Sequence, residues 1–223
     1  MRKILMLLGI ALLMALMVSG AGAALVNPGF EEGIQNNPPV ASHNLPVGWS
    51  VWSYSDGYDV VTSASTYDGT TYSQAEGSHF AWVSPAYSST TQFLYQYITL
   101  QAGDTLEGYA LFDWCGSDSG DYAAVQFVHW ESVYRVALEA WRADSSDVGT
   151  NGHTGWVHWS WTAPITDTYE MRLLVFSSGD PTHEIYSQAF FDTVPSAVPL
   201  PGAALLLGSG LLGLGGYRRF KNS

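Results

Sequence analysis

The stretch "GWSVWSYSDGY", Gly48 to Tyr58, sets four large rings among serine and aspartate side chains. Flat aromatic rings stack on the apolar faces of sugar rings, and nearby polar side chains can bind sugar hydroxyls. In a strand, Trp52 and Tyr54 would share one face, as a stacking platform requires. Trp52, Tyr54, Tyr58 and Asp56 are therefore the candidate carbohydrate contacts.

The other reactive residues point away from catalysis. Six histidines are scattered, with no His-Glu-x-x-His, His-x-His or Gly-x-Ser-x-Gly arrangement among them. His153 and His158 lie five residues apart, too far for a zinc pair along one strand. Carboxylate pairs for glycoside hydrolysis exist in any domain this acidic. The run "FDWCGSDSGDYAA" holds Asp113, Asp118 and Asp121, but lacks the Asp-x-Asp-x-Asp-Gly spacing of a calcium loop. It reads as an acidic surface turn. Cys115 is the single cysteine, so no internal disulfide forms, and its bulky neighbours suggest a buried, inert thiol.

Charge is distributed unevenly along the 223 residues. Arg2, Lys3, Arg218, Arg219 and Lys221 lie at the ends, leaving Arg135, Arg142 and Arg172 for the middle. All 20 acidic residues fall between Glu31 and Asp192, so the middle is near 3 − 20 = −17. Such a surface repels phosphate backbones and excludes a nucleic-acid partner. All nine tryptophans lie there too, enough with the other aromatics for a real core.

The ends read as processing segments. Met1-Arg2-Lys3, an apolar run from Ile4 to Val18 and a small-residue stretch to Ala24 make up the three parts of a secretory signal. Residues 1–24 are the expected signal peptide. At the other end, residues 196–223 form a tail: Val198-Pro199-Leu200-Pro201, an uncharged Leu/Gly span over about 200–217, then Arg218 and Arg219. In membrane terms this is a marginal spanning helix with a cytoplasmic basic end.

Between them, residues 25–195 alternate in the manner of β-strands. "HFAWVS", "QFLYQYITL", "TLEGYALFDW", "YAAVQFVHW", "GWVHWSWTA", "TYEMRLLVF" and "QAFFDTV" are each rich in β-branched and aromatic residues and bounded by turn formers. In "GWVHWSWTA", Val157, Trp159 and Trp161 share one face. The expected fold is all-β, a single jelly-roll-type sandwich flanked by an N-terminal signal helix and a C-terminal transmembrane helix.

Two resemblances extend this reading. The tail resembles the PEP-CTERM sorting signal in its Val-Pro-Leu-Pro form, with Leu200 where Glu is usual. That implies an exosortase-type sorting protease as partner, transient residence in the inner membrane, and delivery to the surface or matrix of a Gram-negative bacterium. The middle, through "LVNPGFEEG", "LPVGW" and the closing "FFDTV", resembles carbohydrate-binding-module-like, galactose-binding-like domains. That resemblance implies a core place for Trp49 and a structural Ca²⁺ held by Glu31 and Asp192. The function expected is binding or organising exopolysaccharide in an extracellular, biofilm-type matrix. The alternatives are a structural or adhesion protein without glycan specificity and, more weakly, a polysaccharide-acting enzyme.

Overall fold

A computed structural model describes residues 25–32, 34, 45–52, 57–85, 90–116, 120–178 and 186–193. Residues Ala23–Ser196 form one compact unit. Among the described residues no helix is long and apolar enough to cross a membrane. The signal segment, the sorting motif from Val198 to Pro201, the apolar span, and Arg218 and Arg219 all lie outside them.

The strands are β1 (Ser50–Val51), β2 (Tyr58–Val61), β3 (Ser63–Ser65), β4 (Thr71–Ser73), β5 (Phe80–Val83), β6 (Thr90–Leu100), β7 (Thr105–Asp113), β8 (Tyr122–Glu131), β9 (Tyr134–Asp144), β10 (Val157–Thr162), β11 (Asp167–Ser177) and β12 (Gln188–Thr193). One short helix, α1 (Ser145–Val148), follows β9. The first sheet runs β1-β6-β11-β8-β9 and the second β10-β7-β12-β5-β2, with β3-β4 as a separate hairpin. All pairings between these strands are antiparallel. From β5 to β12 the chain changes sheet at every step except β8 to β9. The described fold is an all-β sandwich.

Alternation fixes which side chains meet between the sheets. Leu94, Ile98 and Leu100 of β6, Phe127 of β8, and Tyr169, Met171, Leu173 and Val175 of β11 face inward. They meet Leu106 and Phe112 of β7, Trp159 of β10, and Ala189 and Phe191 of β12. Phe127 lies at the centre of an aromatic stack, 3.9 Å from the Trp161 ring and nearly parallel to it. All seven stretches read as strands are strands. Trp49 is in the core against Phe30, its indole N–H donating to the Asn27 carbonyl. Trp159 and Trp161 do share the inner face.

Two features were not read from sequence. "YRVALEAWRAD" forms β9, although Ala, Leu, Glu and Arg favour helices. Ten residues of ladder with β8, bulged between Val125 and Gln126, override that preference. The β3-β4 hairpin covers an outer patch of the second sheet, Phe80, Leu111 and Phe190, with Ala64 and Tyr72.

The fold predicts an asymmetry in sensitivity. Phe127→Ala should cost about 3–5 kcal/mol, because the sandwich cannot collapse into the space left under Trp161. Trp130→Ala, on the same strand but facing out, should cost under about 1 kcal/mol. Urea melts of both variants check this, and equal losses would contradict the assigned faces.

Candidate functional site

The outer face of the first sheet carries an ordered set of side chains. One row crosses all five strands by register: Ser50, Tyr95, Arg172, Gln126 and Glu139. Every member can hydrogen-bond. On one side of it run Trp52, Phe93, Leu174, Ala124 and Arg142, with Trp52 placed beside Phe93 by its N–H to the Phe93 carbonyl. On the other side run Tyr97, Glu170, Val128 and Ala137. Trp130 and its partner Arg135 lie one pair further on.

Three rings of this face are open to solvent: Trp52 at 64 %, Tyr97 at 65 % and Trp130 at 63 % exposure. Trp52 lies almost parallel to Phe93, 5.5 Å away at 11°, so its outer surface is presented flat. Phe93, Tyr95 and Tyr97 continue as a chain of ring contacts at 5.9 and 5.8 Å. Tyr97 stands four residues beyond Phe93, about 13 Å along the strand. Tyr95 and Tyr97 also wall an open cleft of about 380 Å³ with Val26, Gly48, Ser50 and Thr99. The cleft edge is fixed by Gln96, whose amide bonds both Val26 and the Gly48 carbonyl. Gly48 itself has φ +82°, and a Cβ there would strike Val26.

Arginines complete the face. Arg172 lies over Phe93 at 4.8 Å, Arg142 over Tyr122 at 3.9 Å and Arg135 over Trp130 at 5.7 Å. Glu170, only 7 % exposed, accepts from the Tyr97 hydroxyl at 3.1 Å, Arg172 Nε at 2.7 Å and Arg135 Nη2 at 2.5 Å. Three donors satisfy a carboxylate that water barely reaches.

The residues expected from sequence fall in different places. Trp52 belongs to this face. Tyr58 does not: its alternation on β2 turns it inward and it is buried in the core, so it offers no ring to a ligand. Tyr54 and Asp56 lie outside the described residues. Tyr97, Trp130, Arg172 and Glu170 were not singled out. Their signal was available in "QFLYQYITL", "YAAVQFVHW" and "TYEMRLLVF", where polar or aromatic residues alternate with the core set.

The acidic turn is a correction. Asp113 and Asp121 are buried, not surface groups, while Asp118 lies outside the described residues. Asp121 accepts from the Ser177, Ser178 and Ser187 hydroxyls and from the Ser178 N–H. Asp113 sits beneath the β3-β4 hairpin and accepts from the Tyr67 N–H and the Gln188 amide, its second oxygen having no partner. Cys115 is half-buried, and burial pushes its thiol up.

Glu31 and Asp192 converge on one segment. Glu31 accepts from the Ser78 and His79 N–H groups and pairs with the His79 ring at 3.1 Å. Asp192 accepts from the Ala75 and Glu76 N–H groups at 3.0 and 2.8 Å. Burial pushes Asp192 up to about 6 against those two hydrogen bonds, and the charges of Glu76 and Glu31 add to the rise. Among the described residues no three His, Cys, Asp or Glu side chains are grouped to hold a metal. A cation here would have two side-chain carboxylates and would complete its shell with carbonyls and water.

No protein-family profile matches this chain. No curated protein matches it. Solved structures do resemble it. A family 61 carbohydrate-binding module in complex with β-1,4-galactotriose is 18 % identical, covering 76 % of this chain and 94 % of that one, with a TM-score of 0.45. A tandem family 22 module from Paenibacillus barcinonensis is 13 % identical over 82 % and 48 %, TM-score 0.42. A xylan-binding family 22 domain is 14 % identical over 82 % and 97 %, TM-score 0.38. Identities and scores this low leave the site to be argued from its own residues.

The buried carboxylates predict a pH response. Asp113, like Asp192, is raised to about 6, chiefly by burial against its hydrogen bonds to Gln188 and Tyr67. A carboxyl raised on folding contributes stability that is full below its unfolded value and lost as pH rises through its folded value. Glu31 has the opposite sign: burial raises it, but the Ser78 amide and the His79 ring and amide outweigh that and hold it low. Metal-free protein should therefore gain roughly 1–2 kcal/mol between about pH 7 and pH 5, then lose stability at more acid pH. Thermal melts across this range check the sign; a monotonic loss below pH 7 would contradict it.

Proposed function

We propose that this chain is an exported protein whose first-sheet face binds polysaccharide. The observation carrying the proposal is the set of three exposed rings, Trp52, Tyr97 and Trp130, flanking a row of hydrogen-bonding side chains on a rigid sheet. Rings stack on sugar faces, and Tyr95, Arg172, Gln126 and Glu139 offer donors and acceptors to hydroxyls between them. A five-stranded sheet holds these groups without further ordering cost, which favours binding.

The address is part of the same proposal. The signal segment, the Pro-flanked tail and its basic end support export, recognition by an exosortase-type protease, and passage through the inner membrane to the surface or matrix. The polysaccharide is then the exopolysaccharide of the producing cell.

Substituting the rings tests the platform. Trp52→Ala and Tyr97→Ala should each weaken retention on the producer's exopolysaccharide about five- to tenfold, at about 1 kcal/mol per stacked ring. Affinity electrophoresis of the full chain measures this, with circular dichroism to confirm folding. Unchanged retention in both variants would remove the platform.

A structural Ca²⁺ between Glu31 and Asp192 completes the proposal. The charge of Glu31 raises the cost of ionising Asp192, a divalent cation would relieve it, and both carboxylates already fix the segment Ala75 to His79. Chelator should lower the melting temperature, because an ion bound only by the folded state stabilises by mass action. Asp192→Asn should abolish that difference. A melt unmoved by excess chelator would dismiss the ion.

A further inference from the structure

The arginines sharpen what kind of polysaccharide fits, an inference that rests on the platform reading above. Only three cations occur between Lys3 and Arg218, and all three lie on this one face. Arg142 is consumed by Asp144, which takes its Nε and Nη2, and by Glu139. Arg135 and Arg172 share a single carboxylate, Glu170. Counted with Glu139 and Asp144 the face is balanced, but these two guanidiniums have one carboxylate between them.

Arg172 is the better placed of the pair. It occupies the central strand, in the row between Tyr95 and Gln126. Its Nε is held by Glu170 and its plane rests on Phe93, so the guanidinium cannot swing freely. Its two terminal nitrogens have no hydrogen-bond partner among the described residues, and the side chain keeps 18 % of its surface open. A fixed guanidinium edge with unspent donors is shaped for a second, bidentate carboxylate. A polymer of purely neutral sugars would gain nothing from gathering every arginine here.

We propose that the bound polysaccharide is acidic, carrying a sugar carboxylate that is taken by the terminal N–H groups of Arg172 while the charge of Arg135 supports it. The surrounding acidic surface does not forbid this. At physiological salt, charges beyond about 8 Å are screened, whereas a direct Arg–carboxylate contact is screened far less. The same surface disfavours any polyanion that does not present its carboxylate at this point, which makes the arginine pair selective.

The test uses polymers as matched pairs: polygalacturonate, alginate and glucuronoxylan, each beside its own carboxyl-reduced, neutral form. Binding of the full chain to each is measured by isothermal titration calorimetry at fixed salt in excess chelator, which removes calcium bridging. At least one native polymer should bind, and its reduced form should bind about tenfold or more weakly. Arg172→Gln should erase the difference between the two forms, and Arg172→Lys, which keeps charge but loses the fork, should recover only part of it. The wild-type comparison stands even if a variant fails to fold. If native and reduced forms bind alike, the carboxylate inference falls and the platform remains. If neither form of any polymer binds and the producer's own polymer is also ignored, both fall.

Discussion

Glu170 is a covered carboxylate on the open side of a sheet, and the arrangement around it depends on that charge. It collects donors from three strands: Tyr97 from β6, Arg172 from its own β11 and Arg135 from β9. Without it, two arginines would repel each other and Tyr97 would lose the bond that orients its hydroxyl. The interaction is expensive, since an ion this desolvated must be compensated in full. A stack of apolar side chains would hold the sheet together as well or better. The expense makes sense when the charged groups it fixes are themselves used, which is why the donors left open on Arg172 are informative.

The strand bearing Glu170 serves both faces at once. β11 pairs along its whole length with β6 and over seven residues with β8. Tyr169, Met171, Leu173 and Val175 build the core from its inner side, while Glu170 and Arg172 face outward. A one-residue slip would exchange the two sets and destroy core and site together. The second sheet solves a different problem. Its outer patch is covered by the β3-β4 hairpin, with the Trp156 indole donating to the Ser73 carbonyl and the Tyr72 hydroxyl against His153. Among the described residues, one face of the sandwich is covered by its own chain and the other is not.

Sequence alternation was enough to read the sandwich and seven of its strands, because side-chain period decides which face a residue takes. It missed β9, whose helix-favouring composition is overruled by a partner strand that sequence does not display. It read the site in part. Trp52 was recognisable from its exposed, serine-rich setting, but Tyr58 looked equivalent and is buried, since a two-residue β1 and the following β2 do not continue one alternation. Tyr97, Arg172 and Glu170 become neighbours only when β6 and β11 are set in register, a relation spanning more than seventy residues. Asp113 likewise looked like part of a surface turn until the hairpin above it was placed.

Hydroxyl-radical footprinting of the chain with and without the producer's exopolysaccharide tests the central claim most directly, because it reports the accessibility of individual rings. Protection should appear at Trp52, Tyr97 and Trp130, with none at Tyr67, which lies by the hairpin on the opposite sheet and is also exposed. Protection at Tyr67 with the other three unchanged would place the ligand on the wrong face and contradict the account.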